Sequence, residues 1–479
     1  MDNLSEIINY LKGKKVRFAD AREHLFRERQ IMTEDTRVEG INEQNVSGTG
    51  IKVLYENGWG YASTSAKGMD SLKKAADKAL SLARNADKTA TGKVELAAEP
   101  KHVAKFATKT KEDLFGPGVG DAVAVLIEAG ETILKGKDVI KAGSYLVFRN
   151  VKKKYANTEG SLIETDISTV LPQIDATARA NGEVKSRHYW PAPMNAGYEY
   201  FRGLDFKTNA ERIAAQAREH CFAKSCETGA TTLILDPEHL SLTMHESVGH
   251  PTELDRVLGY EESCAGRSFA TTDKLNNFKY GSELVNFIAD NTLEGGLASC
   301  GYDDEGVECQ KWHMIKDGIL TGYGVNRELA HKLKLKRANG TTRATKYCDV
   351  PITRIPNLYL APGKKPLSFE ELIADTEDGI YIEGMGSFSI DQMRLNMQFG
   401  GDAFWEIKKG KITGMLKNVV YNAISYEFWR KCDAIADKRS FKRAGFITCG
   451  KGDPMQAAQM THGASPARFR EIMVRRAKH

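Results

Sequence analysis

The sequence lacks any apolar run long enough to cross a membrane as a helix, which takes about 20 residues. Its first residues, Met1 to Glu6, also lack the basic and apolar regions of a secretion signal. The chain also lacks a large excess of one charge, since 68 basic residues nearly balance 63 acidic ones. We therefore expect a cytoplasmic protein without a membrane anchor, and the near balance of charge argues against direct nucleic-acid binding.

Cysteines are few and scattered, eight in 479 residues, and their spacing fits neither a disulfide framework nor a compact zinc pattern. Reduced thiols are the expected state. Short-period repeats and low-complexity segments are also missing. These absences exclude solenoids, fibrous proteins and small disulfide-stapled domains.

A chain of this length exceeds one ordinary domain, and its 41% hydrophobic content can fill more than one core. We predict an α+β fold with a mixed α/β N-terminal domain at 1–226 and a β-rich C-terminal domain at 227–479. The first domain has subregions of about 1–90 and 111–226, with helices beside an extended sheet of short strands. Repeated Asp-Gly and Asn-Gly turns indicate the β-rich half, in which Asn422 to Ala436 is nevertheless predicted as a helix.

The motif with the clearest chemistry is H-E-S-V-G-H, in which His245 and His250 flank Glu246. Imidazoles bind zinc, and a glutamate beside a bound water can accept its proton. Five residues separate the histidines, one more than in H-E-x-x-H. On a straight helix, residues five apart point about 140° away from each other. The two rings can therefore meet only if the helix bulges by one residue or breaks at His250.

The surrounding residues suit such a distorted helix. Thr231 to Leu235 reads as a buried strand, and Asp236-Pro237 reads as an N-cap followed by proline at the first helical position. Gly249 relaxes backbone limits, and Pro251 disfavours the α conformation at His250. We predict a helix that begins after Asp236 and is deformed near its second histidine.

Two histidines cannot complete a zinc site, so a distant residue must add a third ligand. Cys449 is the best candidate, because it follows a short apolar strand in a glycine-rich turn. His462 remains an alternative ligand or proton donor, and Glu253 an alternative partner that orients a histidine. Two further sets are weaker candidates: Cys300, Cys309 and His313 for a metal, and Asp303-Asp304-Glu305 for a hard cation.

The combination of H-E-S-V-G-H with the later T-C-G-K-G-D-P resembles the TldD/PmbA family of metallopeptidases. The likeness extends along the chain through the segments F-A-D-A-R, N-T-E-G, Y-D-D-E-G and G-S-F-S, which begin at Phe18, Asn157, Tyr302 and Gly386. The intact H-E-x-x-x-H is similar to the TldD-type subunit rather than the PmbA (TldE) type. The resemblance implies zinc bound by His245, His250 and Cys449, with Glu246 as catalytic base.

The resulting hypothesis is a zinc-dependent peptidase that hydrolyses amide bonds in short or unfolded peptides. A zinc-bound water would be the nucleophile, and Glu246 the general base. The resemblance also implies a homodimer, or a heterodimer with a PmbA (TldE)-type subunit. A non-enzymatic partner or regulator of the gyrase-modulator kind, with a purely structural metal, is the alternative.

Overall fold

The computed structural model describes residues 3–477. Met1 and Asp2, from the segment in which no secretion signal was expected, and the last two residues of the predicted second domain lie outside that range. Long paired strands dominate the first part of the chain. Its helices and strands are α1 (Asn3–Lys12), β1 (Phe18–Glu34), β2 (Arg37–Tyr55), β3 (Gly58–Thr64), α2 (Met69–Asp87), β4 (Val103–Ala107), α3 (Val119–Leu134), β5 (Val139–Asn157), β6 (Leu162–Ala180), β7 (Glu183–Tyr189), β8 (Met194–Asn195), α4 (Tyr198–Arg202) and α5 (Phe206–Cys221).

These strands form one sheet in the order β3-β2-β1-β5-β6-β4, with β7 and β8 also pairing with β6. The expected short strands were wrong, because β1, β2, β5 and β6 each run for 17 to 19 residues. Polar residues such as Arg149 and Asn150 lie inside β5. There the backbone is paired with β1 on one side and β6 on the other.

The two faces of this sheet serve different purposes. Alternate side chains of a strand point to opposite faces. On one face, small and apolar residues such as Ala21, Ile31 and Phe148 pack into cores formed with α1, α2, α3 and α5. The other face carries Arg22, Arg149 and Lys153 toward the second half of the chain.

The second half is rich in short strands, as predicted. Its helices and strands are β9 (Lys224–Ser225), β10 (Gly229–Leu235), α6 (Pro237–Met244), α7 (Leu254–Val257), β11 (Phe287–Asp290), β12 (Lys311–Lys316), β13 (Ile319–Leu320), β14 (Thr342–Arg343), β15 (Ile352–Thr353), β16 (Leu358–Leu360), α8 (Phe369–Ala374), β17 (Asp378–Glu383), β18 (Phe388–Ile390), β19 (Asn396–Phe399), β20 (Ala403–Lys408), β21 (Lys411–Lys417), β22 (Val419–Ile424), α9 (Ser425–Arg430), β23 (Cys432–Ile435), β24 (Lys442–Lys451), β25 (Gln456–Ala464) and β26 (Ala467–Arg476).

Two sheets organise this half around one apolar core. The larger has the order β18-β19-β22-β26-β10-β17-β20-β21-β9, and the smaller has the order β13-β12-β11-β16-β25-β24. Strand β10 leads into α6, which packs on β24 and β25. The mixed α+β class is therefore confirmed.

The helix expected over Asn422 to Ala436 was wrong. Only Ser425–Arg430 is helical, and the residues on either side belong to β22 and β23. Both strands pair with β26, so sheet formation outweighs the helical preference of that segment. No helix within residues 3–477 has the length and apolar character needed to span a membrane.

Candidate metal centre

The motif helix starts as its sequence predicts. Leu233, Ile234 and Leu235 of β10 are fully buried. Asp236 then caps α6, because its carboxylate accepts a hydrogen bond from the backbone N–H of His239 at 2.7 Å. Pro237 occupies the first turn of the helix, where no hydrogen-bond donor is needed. The cap and the buried strand fix the direction in which α6 enters the site.

The helix bulges at the motif, and this bulge brings its two histidines together. Residues His245–Gly249 form a π-helical turn, and His250–Thr252 form a 3-10 turn. The extra residue is absorbed there, so the rings of His245 and His250 lie edge to face with centroids 4.9 Å apart. Ser247 anchors the bulge: its hydroxyl accepts from Trp429 Nε1 at 2.9 Å, and its carbonyl accepts from the Tyr280 hydroxyl.

The predicted reasons for the bulge were wrong, although a bulge is present. Gly249 has ordinary helical angles (φ −58°, ψ −64°), and so does His250 (φ −62°, ψ −42°) despite the proline that follows. Space, rather than backbone freedom, favours glycine here. A Cβ on Gly249 would lie 2.9 Å from Cδ1 of Ile355.

Cys449 reaches the two histidines from β24. Its sulfur lies 3.6 Å from Nε2 of His250, and one ligand atom from each of the three residues lies within 4.8 Å of the others. Ligand atoms on a tetrahedral zinc ion are roughly 3.3 to 3.6 Å apart. Two imidazoles and one thiol, all buried, match zinc in chemistry, and the distance between Cys449 and His250 matches it in spacing.

Hydrogen bonds on the far side of each ring determine which nitrogen is free. His462 donates from Nδ1 to the carbonyl of Leu358 at 3.2 Å, so its Nε2 accepts from Nδ1 of His245 at 2.8 Å. His250 donates from Nδ1 to Glu253 at 2.8 Å. Nε2 of both ligand candidates is thereby left as a lone-pair donor. The structure places His462 and Glu253 behind the histidines rather than among the candidate ligands.

Glu253 is itself held by charge. Lys451 Nζ lies 3.2 Å from its second oxygen and 2.7 Å from Asp255, and all three side chains are buried. These contacts connect Lys451, two residues after Cys449, to Glu253, three residues after His250. It ties β24 to the end of the motif helix.

Burial sets the protonation of the candidate ligands. It lowers the pKa of His245 and of His250 well below the ordinary value, and neighbouring positive groups add to the effect. Burial raises the pKa of the Cys449 thiol, while Arg354 opposes that rise. Arg354 Nη2 lies 3.4 Å from the sulfur and also donates to the Cys449 carbonyl. The imidazoles are therefore neutral, as zinc ligands must be.

Glu246 lies on the same turn, 6% exposed, and pairs with Arg394. Burial raises the pKa of this carboxyl, and Arg394 opposes the rise. Sequence reasoning missed both Arg354 and Arg394, since each meets the motif only through the tertiary fold. A positive φ of 60° at Arg394 marks the turn that presents it.

The weaker candidate sets do not form metal sites in the described residues. The sulfurs of Cys300 and Cys309 lie 3.6 Å apart, but these two residues and His313 do not come close enough together to share a metal ion. The carboxylates of Asp304 and Glu305 pair with Lys153 and Lys52, and Asp303 accepts from backbone N–H groups. These acids therefore serve contacts within the protein rather than a cation.

Known protein families match the part of the chain that carries the candidate metal centre. Residues 228–475 match the PmbA/TldA metallopeptidase C-terminal domain, and residues 19–83 match PmbA/TldA metallopeptidase domain 1. A metalloprotease of Methanocaldococcus jannaschii is 28% identical over 423 residues, which cover 87% of this chain and 89% of that protein.

Two solved structures share the fold. A protein of Thermotoga maritima described as a modulator of a DNA gyrase has a TM-score of 0.79 at 17% identity, covering 99% of each chain. TldE of Thermococcus kodakarensis has a TM-score of 0.77 at 14% identity, covering 99% of this chain and all of its own. With the C-terminal match spanning more than half of the sequence and including both parts of the His/Cys cluster, the chain belongs to the PmbA/TldD family of metallopeptidases.

Proposed function

We propose that the protein is a TldD-type zinc peptidase whose metal is held by His245, His250 and Cys449. The observation that carries this proposal is the meeting of three buried ligand atoms, from one bulged helix and one distant strand, beside a buried glutamate. Three protein ligands leave a fourth tetrahedral position free, as in catalytic rather than structural zinc sites.

The ligand set determines what the protein contributes. Zinc, when bound, polarises the scissile carbonyl and activates water. The Cys449 thiolate would cancel part of the ionic charge, which makes a nearby base more important. Glu246 is that base: it accepts the proton of the attacking water and passes it to the leaving amine. Arg394 positions the Glu246 carboxylate and favours its ionised form.

The edge of a sheet offers a path for an extended peptide. Among the described strands, β24 is the last in its sheet and pairs only with β25. Ile447 and Thr448, the two residues before Cys449, lie in a break of that pairing. A peptide added at this edge would form backbone hydrogen bonds beside the metal centre. Short or unfolded peptides fit such an arrangement better than folded proteins.

Assembly and domain organisation are part of the same proposal. The proposed assembly is a dimer, either of this chain with itself or with a PmbA (TldE)-type subunit, as the family resemblance implies. We keep the division into domains at 1–226 and 227–479, with the metal centre contained in the second.

The decisive experiment combines metal analysis with peptide cleavage. The purified chain, alone and mixed with a PmbA (TldE)-type partner, is incubated with a library of unfolded peptides, with and without a chelator. We expect about one zinc per chain and cleavage that the chelator abolishes. Glu246→Gln should retain zinc while cleavage falls by at least about a hundredfold. Glu262→Gln, which changes an exposed glutamate, is the matched control and should behave as wild type.

Two outcomes would contradict the proposal. Cleavage by Glu246→Gln at the wild-type rate would remove Glu246 from the base role. A zinc-loaded chain that cleaves no peptide with or without its partner would favour the regulatory alternative with a structural metal.

A further inference from the structure

A cavity of about 310 Å³ lies between the two halves of the molecule. Its floor is the face of the N-terminal sheet that carries no helices, including residues of β1, β5 and β6. Its opposite wall comes from the second half and reaches Ile447 and Thr448. The cavity therefore adjoins the break in the β24 edge, directly before Cys449.

Positive charge exceeds negative charge in this cavity. Five basic side chains line it, namely Arg22, Arg149, Lys153, Arg343 and Lys346, against the three acids Glu28, Asp303 and Asp304. Glu28 is paired with Arg149 at 2.6 Å, and Asp304 with Lys153 at 2.8 Å. Both oxygens of Asp303 accept backbone N–H groups, from Glu305, Val307 and Thr342, so this carboxylate is already satisfied by its own surroundings. The remaining basic groups have no full counter-charge.

Arg343 is the clearest of these incompletely paired groups. Within residues 3–477 its guanidinium donates only to the backbone carbonyls of Gln459 and Ile355, and its buried Nε has no partner. Arg343 is partly buried, and a guanidinium that donates only to carbonyls there lacks a counter-charge that an anion could supply.

Arg22 lies on the facing wall and is 2% exposed. Its Nε and Nη1 have no hydrogen-bond partner. Asp304 lies 3.8 Å from Nη1, beyond hydrogen-bond distance. Two incompletely paired guanidiniums thus line the same cavity from opposite halves of the chain.

We propose that this cavity binds a carboxylate of the peptide substrate, either its C-terminus or an acidic side chain, with Arg343 as the specificity-determining residue. The inference rests on the proposed peptidase function and adds a substrate class to it. A planar guanidinium fork matches a carboxylate. Apolar neighbours such as Phe26, Val151 and Leu297 suit the carbon atoms of a peptide that carries such a group.

Binding, rather than turnover, tests this inference. The probe is a fluorescein-labelled eight-residue alanine/glycine peptide in three forms: a free C-terminal acid, a C-terminal amide, and an amide with one internal glutamate. Affinity for the zinc-loaded Glu246→Gln chain is measured by fluorescence anisotropy. We expect at least one carboxylate form to bind about tenfold more tightly than the neutral amide, and the comparison distinguishes the two sources.

Variants assign that preference to Arg343. Arg343→Met should abolish it, and Arg343→Lys, which keeps the charge, should retain part of it. Arg430→Met is the matched control, because this exposed arginine also donates to a backbone carbonyl but lies outside the cavity. Circular dichroism verifies folding, and Arg343→Lys keeps the test valid if Arg343→Met misfolds.

Equal affinity for all three peptides would overturn the inference, and so would a carboxylate preference that survives in both Arg343 variants. The proposed function is tested separately by cleavage. Hydrolysis without carboxylate preference would therefore refute only the cavity assignment, and preference without hydrolysis would refute only the peptidase proposal.

Discussion

Each imidazole of the candidate centre is oriented by a hydrogen bond on the nitrogen that faces away from Cys449. His462 performs this role for His245, and the carboxylate of Glu253 performs it for His250. The two supports differ in charge, since one is a neutral ring and the other an acid tied to Lys451. Glu253 should therefore raise the basicity of His250 more than His462 raises that of His245.

Glu253→Gln tests this support. The amide can still accept the hydrogen bond but carries no charge, so we expect zinc affinity to fall by about ten- to a hundredfold. Competition with a chromophoric chelator measures the affinity. Glu262→Gln is the surface control, and an unchanged affinity in Glu253→Gln would show that the charge has no role in metal binding.

Cys449→Ala tests the third ligand. Two histidines alone hold zinc weakly, so most of the metal should be lost on dialysis, as measured by atomic emission spectrometry. Cys432→Ala removes another buried thiol, one outside the His/Cys cluster, and should keep its zinc. Full zinc content in Cys449→Ala would point to His462 as a replacement ligand.

At this scale the sequence predicted the cluster but not its surroundings. The motif and one distant cysteine were visible because their chemistry is unusual, although their role as ligands stays a prediction. Arg354 and Arg394 were not visible. An arginine 95 residues from Cys449, or 148 from Glu246, carries no sequence signal of that partnership.

Among the elements, the bulged helix depends on how closely it packs against its neighbours. Ile355 fills the space that a side chain at position 249 would need, and it also belongs to the small apolar cluster with Cys449 and Met460. The bulge, the strand that presents the cysteine and the segment around Ile355 are therefore mutually constrained.

Gly249→Ala should lower the free energy of unfolding by about 1 to 3 kcal/mol, because the added methyl overlaps Ile355. Adding Ile355→Ala should offset part of the clash, so the two effects should not be additive in urea denaturation. Gly120→Ala is the control: it lies in α3 with open space around its Cα and should be neutral or stabilising. Additive effects at positions 249 and 355 would contradict the packing explanation.

The start of α6 was predictable, because its aspartate cap and the proline that follows are local signals. Long strands were not. Polar residues in the middle of β1 and β5 face the other half of the chain, where they are paired rather than solvated. Local patterning cannot distinguish those two situations.

In the whole molecule, charged contacts join the halves. Asp304 binds Lys153 of β5 and lies near Arg22 of β1. Burial opposes ionisation of Asp304, but Lys153, Arg22 and His24 together outweigh it, and the pKa of this carboxyl lies well below its ordinary value of 3.8. The ionised form therefore stabilises the contact between the halves.

Asp304→Asn should lower the free energy of unfolding by about 3 kcal/mol at neutral pH, since Lys153 loses a buried counter-charge. A depressed pKa gives stability that is present above the ordinary value and lost as pH falls through the folded-state value. The deficit should hold from neutrality to about pH 5 and shrink below about pH 4. Urea denaturation across this pH range measures it. A pH-independent deficit would contradict the charge explanation, and Asp378→Asn, in an exposed pair, should change stability little.

One face of the N-terminal sheet packs against helices and the other lines the cavity, and this restricts which insertions its strands can tolerate. A one-residue slip in β1 or β5 would exchange the faces: Arg22 and Lys153 would enter the helix-covered core, and alanines would line the cavity beside Cys449. An insertion in these strands thus damages the hydrophobic core and the cavity wall together. Single insertions across β1 and β5 should consequently be tolerated far less than insertions at the Asn181-Gly182 turn, where neither face is affected.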